Sequence, residues 1–219
     1  MGRFAGERLK DTIYRICGEL YEPWAFRDWA AAKSDGTFGC RWDDPAGEYR
    51  VLYASTNRTG AFMETLQCFI PPPELVALVG AIASTQADGP ATIAPGVVPR
   101  EWASERVIGS CKAEGNFAAV FLARSLQVFR GTLAALITRL GLKDLDYDLS
   151  ALLLRSPREL SQAASRVVYE DTEDFSGIFC VSRMGFEFMN VTIYERPDGK
   201  RAPEAPARAA HNEAVIRGS

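Results

Sequence analysis

Few residues in this chain have chemistry to offer, and most of them stand alone. Glu64 lies in "NRTGAFMETLQCF", where its neighbours three and four positions away are Gly60, Ala61, Gln67 and Cys68. On a helix those are the residues that would meet it, so no lysine or arginine is placed to pair with it. Such a carboxylate is either an ordinary solvated one or a group above a shelf of small residues where a bulky ligand approaches. Arg15, in "IYRIC", stands between apolar residues of an alternating run. A guanidinium is too costly to bury unpaired, so Arg15 needs an anion, either a structural carboxylate or the phosphate of a ligand. Arg41 follows the glycine turn "SDGTFG", Tyr53 nears the end of "YRVLYAS", and Ser182 and Asn190 are polar residues in the apolar runs "GIFCVS" and "FEFMNVTIY". Carboxylate, guanidinium, phenol, hydroxyl and amide are the groups available.

Histidine is nearly absent. The one residue, His211, lies in the polar stretch "RPDGKRAPEAPARAAHNEAVIRGS". A Ser-His-Asp triad, a Cys-His pair and a His-ligated metal therefore lack their central group unless that stretch folds back. The five cysteines are odd in number, widely spaced and without a C-x-x-C pair, which favours reduced, buried thiols over a disulfide framework or a zinc site. No G-x-G-x-x-G follows a strand and no G-x-x-x-x-G-K-[ST] occurs. Asp144, Asp146 and Asp148 alternate in "KDLDYDLS" without the glycine and closing glutamate of a calcium loop, and are read as a solvated turn. Net charge is −3 in 219 residues, giving no basis for nucleic-acid or membrane binding. No apolar run approaches the ~20 residues of a membrane helix, and "MGRFAGERLKD" has no signal-peptide core, so a cytoplasmic protein is expected.

The elements that must position these residues can be read from pattern. Residues 11–17 alternate as a strand, with Ile13 and Arg15 on one face and Tyr14 and Ile16 on the other. A helix is expected over 22–33, a strand over 49–55 and a helix over 57–69. Phe62, Leu66 and Phe69 have the spacing of a core-facing stripe, which puts Glu64 about 200° round from Phe62. Further expectations are a helix over 73–84 within a Pro-rich connection, a strand near Val107, a strand over 116–122 and a helix over 124–142 ended by Gly141. Ser156, Pro157 and Glu159 open a helix over 156–171. Residues 176–195 read as two strands about a Gly185 turn. Residues 1–196 make one domain, and 197–219 read as a flexible polar tail. Strands and helices mix without regular βαβ alternation, so the class is α+β.

Four pieces in order resemble the RES family, named for an arginine, a glutamate and a serine. They are "IYRI" with Arg15, "FGCRW" with Arg41, "VLYAST…GAFMETL" with Tyr53 and Glu64, and "GIFCVSRMGFEFMN" with Ser182 and Asn190. They cover about residues 13–70 and 176–195. Cys40, where many members have glycine, and the long Pro-rich connection depart from the pattern. The resemblance implies an ADP-ribosyltransferase-like fold, a mixed sheet with surrounding helices, whose cleft binds NAD as substrate. It implies a toxin that splits the nicotinamide–ribose bond with phosphate or water as acceptor, and a helix-turn-helix antitoxin that covers the site. Glu64, Arg15 and Tyr53 would then be catalytic, and Arg41, Ser182 and Asn190 substrate-binding, with no metal and no further cofactor.

The chemistry of NAD accords with these residue types. Nicotinamide leaves as a neutral molecule, so no general acid is needed, and the demand falls on stabilising an oxocarbenium-like ribose. Two other readings stand beside this one: a protein ADP-ribosyltransferase using the same cleft, and a catalytically silent module that binds NAD or an antitoxin. Ser182 has no base to activate it and is not read as a nucleophile.

Overall fold

The computed structural model describes residues 3–70, 96–142 and 158–196, and the main chain of 211–214. Strand β1 spans Gly6–Gly18 and β2 Val51–Ser55, followed by helix α1, Arg58–Leu66. A short helix α2, Arg100–Ser104, leads into β3, Arg106–Ala119. Helices α3 (Ala123–Thr132), α4 (Ala134–Arg139) and α5 (Arg158–Tyr169) precede β4 (Gly177–Ser182) and β5 (Gly185–Tyr194). Strand β6, His211–Ala214, lies within the stretch read as a tail and pairs antiparallel with β3. The class is α+β. Among the described residues, no helix is long and apolar enough to cross a membrane.

The sheet order is β1-β2-β5-β4-β3-β6, and β1 also pairs with β3, so five strands close into a ring. The ring is uneven. β1 and β3 run antiparallel from Gly6 opposite Ala118 to Gly18 opposite Arg106. β1 meets β2 at one residue pair only, Tyr14 with Ser55. Two apolar clusters hold this framework. Leu9, Ile13, Leu52, Ala54, Phe117, Val191 and Ile193 form one, and α3, α4 and α5 contribute Phe129, Ile137, Leu160, Ala164 and Val168 to the other, with Ile178 and Tyr194 of the sheet. Full burial of a side chain such as Phe117 is worth about 2–3 kcal/mol. At Gly177 the neighbouring strand comes so close that a β-carbon would sit 1.8 Å from the Thr192 carbonyl oxygen.

Several expectations are corrected. Residues 22–33 form no helix beyond a single 3-10 turn at Trp29–Ala31. Trp24 and Phe26 both pack on the same sheet cluster, and a helix would aim residues two apart in nearly opposite directions. The strands expected near Val107 and over 116–122 are one continuous strand, and 124–142 breaks at Leu133 into α3 and α4. Gly141 does take the left-handed conformation at φ +68°. In α1 the fully buried residues are Gly60 and Ala61, not Phe62, Leu66 and Phe69. The side of α1 that carries small residues packs on the sheet, because at Gly60 a β-carbon would collide with Ser55 and press on Phe188. The helix over 73–84, the turn at 143–150 and the cap residues Ser156 and Pro157 lie outside the described residues.

Candidate active site

The ladder between β1 and β2 stops at Tyr14 and Ser55, and a cavity of about 390 Å³ opens where the two strands part. Arg15 and Ile16 line it from β1, and Tyr53 and Ala54 from β2. Cys180 and Asn190 contribute from β4 and β5, α1 supplies Ala61, Glu64 and Thr65, and the loop before β2 supplies Cys40, Arg41 and Trp42. Its size falls in the range of small-molecule pockets, about 300–1,000 Å³.

Helix α1 delivers the carboxylate. Asn57 caps it, its side-chain oxygen accepting from the N–H groups of Thr59 at 2.8 Å and Gly60 at 3.3 Å. Ala61, Glu64 and Thr65 then share a face by their three- and four-residue spacing. Glu64 is held from three directions. The Ser182 hydroxyl donates to its Oε1 at 2.6 Å, and the Asn190 amide donates to the same oxygen at 2.7 Å. Gln67 donates to Oε2 at 3.2 Å and to the Glu64 main-chain carbonyl at 2.8 Å. The Met184 N–H donates to the Ser182 oxygen at 2.9 Å, which directs the serine proton onto Glu64. Oε1 is thus filled by two strong donors, while Oε2 carries one longer bond among the described residues.

Arg41 is positioned by a heavily anchored loop. The Cys40 N–H donates to Asp43, and the Trp42 N–H donates to the Tyr53 hydroxyl at 2.9 Å. From α5, Gln162 donates to the Cys40 carbonyl at 3.0 Å and Ser165 to the Trp42 carbonyl at 2.7 Å. Arg166 binds the fully buried Asp44 at 3.1 Å. Gly39, at φ +75°, makes the left-handed turn that presents this segment. Burial, and then the like charges of Arg183 and Arg158, push the Arg41 pKa down. Burial lowers that of Arg15 as well. With Arg158 and Arg183 also in the lining, four arginines face a single glutamate, an excess of three positive charges.

Two further observations bear on ligand binding. Six buried side-chain polar atoms among the described residues have no hydrogen-bond partner, and four of them belong to residues of this cavity: Arg15 Nη1, Gln67 Oε1, Asn190 Oδ1 and Thr192 Oγ1. Each such group costs about 1–3 kcal/mol and is rare in a folded interior, so their concentration marks a site built for something other than its own packing. Neither cavity thiol is an activated nucleophile, since burial raises the Cys40 pKa and pushes that of Cys180 up to about 12. Burial also holds Tyr53 well above the ordinary phenol value, as a neutral group. Among the described residues, no cluster of three His, Cys, Asp or Glu side chains is placed to hold a metal ion.

The structure therefore brings Arg15, Arg41, Tyr53, Glu64 and Asn190 to one cavity, while Ser182 reaches it through Glu64. Ser182 and Asn190, expected to bind a ligand directly, are engaged with the carboxylate, and the Tyr53 hydroxyl is engaged with the Trp42 main chain. Sequence reasoning missed Gln67, Arg158 and Arg183. Gln67 was visible as the residue three beyond Glu64, Arg183 as the residue after Ser182, and Arg158 only as part of a helix start. A family model for the RES domain matches residues 12–214. No curated protein and no solved structure matches the chain.

Proposed function

The chain belongs to the RES domain family, and from that premise we propose that it cleaves NAD at the bond between nicotinamide and ribose. One observation carries the reading: a lone carboxylate, oriented by three side-chain donors, in a cavity otherwise charged only by arginines. The C1′–N bond breaks with its electron pair passing to the ring nitrogen, and nicotinamide departs neutral. Positive charge then develops on the ribose, where a preorganised carboxylate stabilises it without reorganising. Glu64 fills that role. Its saturated Oε1 fixes the plane of the group, and Oε2 has a lone pair to spare for a ribose hydroxyl. Arg15 and Arg41 take the diphosphate, which guanidinium forks match. An oxygen of phosphate, or of a water that sheds a proton, forms the new bond to C1′.

In the cell this reaction would make the protein a toxin that depletes NAD. Its partner would be a helix-turn-helix antitoxin covering the cavity, as the family's association with toxin–antitoxin systems suggests. The test is incubation with NAD, with and without phosphate, and mass spectrometry of the products, with Glu64→Gln beside it. Nicotinamide release that disappears in the variant supports the reading, and the partner product, ADP-ribose or its phosphate, names the acceptor. A labelled protein in place of either indicates ADP-ribosyl transfer. Absence of release under every condition refutes cleavage.

A further inference from the structure

Arginines elsewhere in the molecule are paired with carboxylates: Arg3 with Glu173, Arg50 with Glu195, Arg139 with Glu159, Arg166 with Asp44 and Arg196 with Asp174. Arg158 and Arg183 depart from that habit. Both are exposed, both line the cavity, and neither meets a carboxylate among the described residues. They come from separate elements, the first turn of α5 and the turn between β4 and β5. Both nevertheless stand close enough to Arg41 to act as like-charge neighbours.

Three guanidinium groups do not gather at one place without a counter-charge. Ion pairing across the rest of the fold shows that carboxylates are available where the chain uses arginine for structure. Here the protein supplies none for Arg158 and Arg183, and the nearest lining carboxylate, Glu64, is already occupied by Ser182, Asn190 and Gln67. A diphosphate held by Arg15 and Arg41 accounts for two of the four charges in the cavity and leaves two over.

We propose that Arg158 and Arg183, together with Arg41, form a phosphoanion subsite at the rim of the cavity. Guanidinium suits this ligand, since its planar fork bonds two phosphate oxygens at once and stays charged at any physiological pH. The phosphoanion is either the diphosphate of the dinucleotide or a free phosphate that attacks C1′. This assignment rests on the NAD-cleaving reading for the identity of the substrate, but anion binding is measured apart from turnover.

The experiment is calorimetric titration of inorganic phosphate and of pyrophosphate into the full chain at low salt. It compares the wild type, the double variant Arg158→Gln/Arg183→Gln and a control, Arg124→Gln, which removes an exposed arginine bound to the Arg3 carbonyl. Charged hydrogen bonds of this kind predict binding weaker by about tenfold or more in the double variant. The control should bind as the wild type does. Equal binding in all three proteins overturns the subsite, and so does an equal loss in the control, which would make net charge the cause. Circular dichroism establishes that each variant is folded, and Arg158→Lys/Arg183→Lys should recover part of the affinity.

Steady-state kinetics separates the two sources. A rise in KM for phosphate with KM for NAD unchanged assigns the subsite to the attacking anion, and the reverse assigns it to the diphosphate. If wild type binds phosphate but releases no nicotinamide, NAD cleavage fails and the subsite stands. If it releases nicotinamide with binding and both KM values unmoved by the double variant, the subsite alone fails.

Discussion

The Ser182 hydroxyl and Glu64 Oε1 meet at 2.6 Å, joining the end of β4 to helix α1 across 118 positions of sequence. Asn190 adds a second donor to the same oxygen. If the carboxylate acts as proposed, its donors are positioning groups. Ser182→Ala should lower kcat by roughly 10- to 100-fold with little change in KM, since it loosens the geometry without removing the charge. Glu64→Gln should cost more than either donor variant. A Ser182→Ala enzyme with unchanged kcat would remove the serine from the mechanism.

Tyr53 offers a test of the loop that carries Arg41. Its hydroxyl accepts the Trp42 N–H, so Tyr53→Phe leaves a partly buried donor unsatisfied. The expected loss is about 1–3 kcal/mol in a urea melt. Substrate binding should weaken alongside it, because Arg41 is the neighbouring residue. A variant with normal stability and normal KM would show that the hydroxyl anchors nothing.

Asp44 is fully buried and pairs with Arg166, while its oxygens also accept from the N–H groups of Ala46 at 3.1 Å and Glu48 at 2.6 Å. Asp44→Ala should destabilise the chain by about 3–5 kcal/mol, the usual result of stripping one partner from a buried pair. Glu48 and Glu170 still reach Arg166 and keep the effect near the lower end. Loss of stability below 1 kcal/mol, about the worth of a surface pair, would mean the loop is held elsewhere.

Alkaline pH should weaken the fold. Burial raises the pKa of Cys111 from 9.0 to about 11 and that of Cys180 from 9.0 to about 12. Above pH 9 the unfolded chain releases these protons and the folded chain keeps them, so stability falls as pH rises. Each thiol contributes up to about 1.4 kcal/mol per pH unit in that window and nothing pH-dependent below it. Urea midpoints taken between about pH 8 and pH 10 should fall with pH, and Cys111→Ala should flatten the fall. A flat profile in the wild type would contradict it.

Much of the site was legible because its parts sit at marked places in the pattern. Arg15 and Asn190 are polar interruptions of apolar strands, and Glu64 has no basic neighbour on its helix. What pattern could not give was the direction in which α1 packs. Phe62, Leu66 and Phe69 have core spacing, yet tight contact between Gly60 and the sheet turns the opposite side inward, and the carboxylate goes with it. Trp24 and Phe26 misled in the same way, since a stretch of good helix formers was overruled by aromatic packing on the sheet. Arg158 and Arg183 had no local signal, because what distinguishes them is the absence of a partner in space.

The single pair that joins β1 to β2 has a consequence for how the site keeps its dimensions. Arg15 rides on one jaw of the opening, and Glu64 follows from the other through Ser55 and α1. With one rung between the jaws, their separation is fixed the long way round, through β5, β4 and β3. The molecule works as a caliper whose frame lies far from its tips. Substitutions along β3, remote from any substrate atom, would therefore reset the gap between cation and carboxylate more than substitutions at the rung itself.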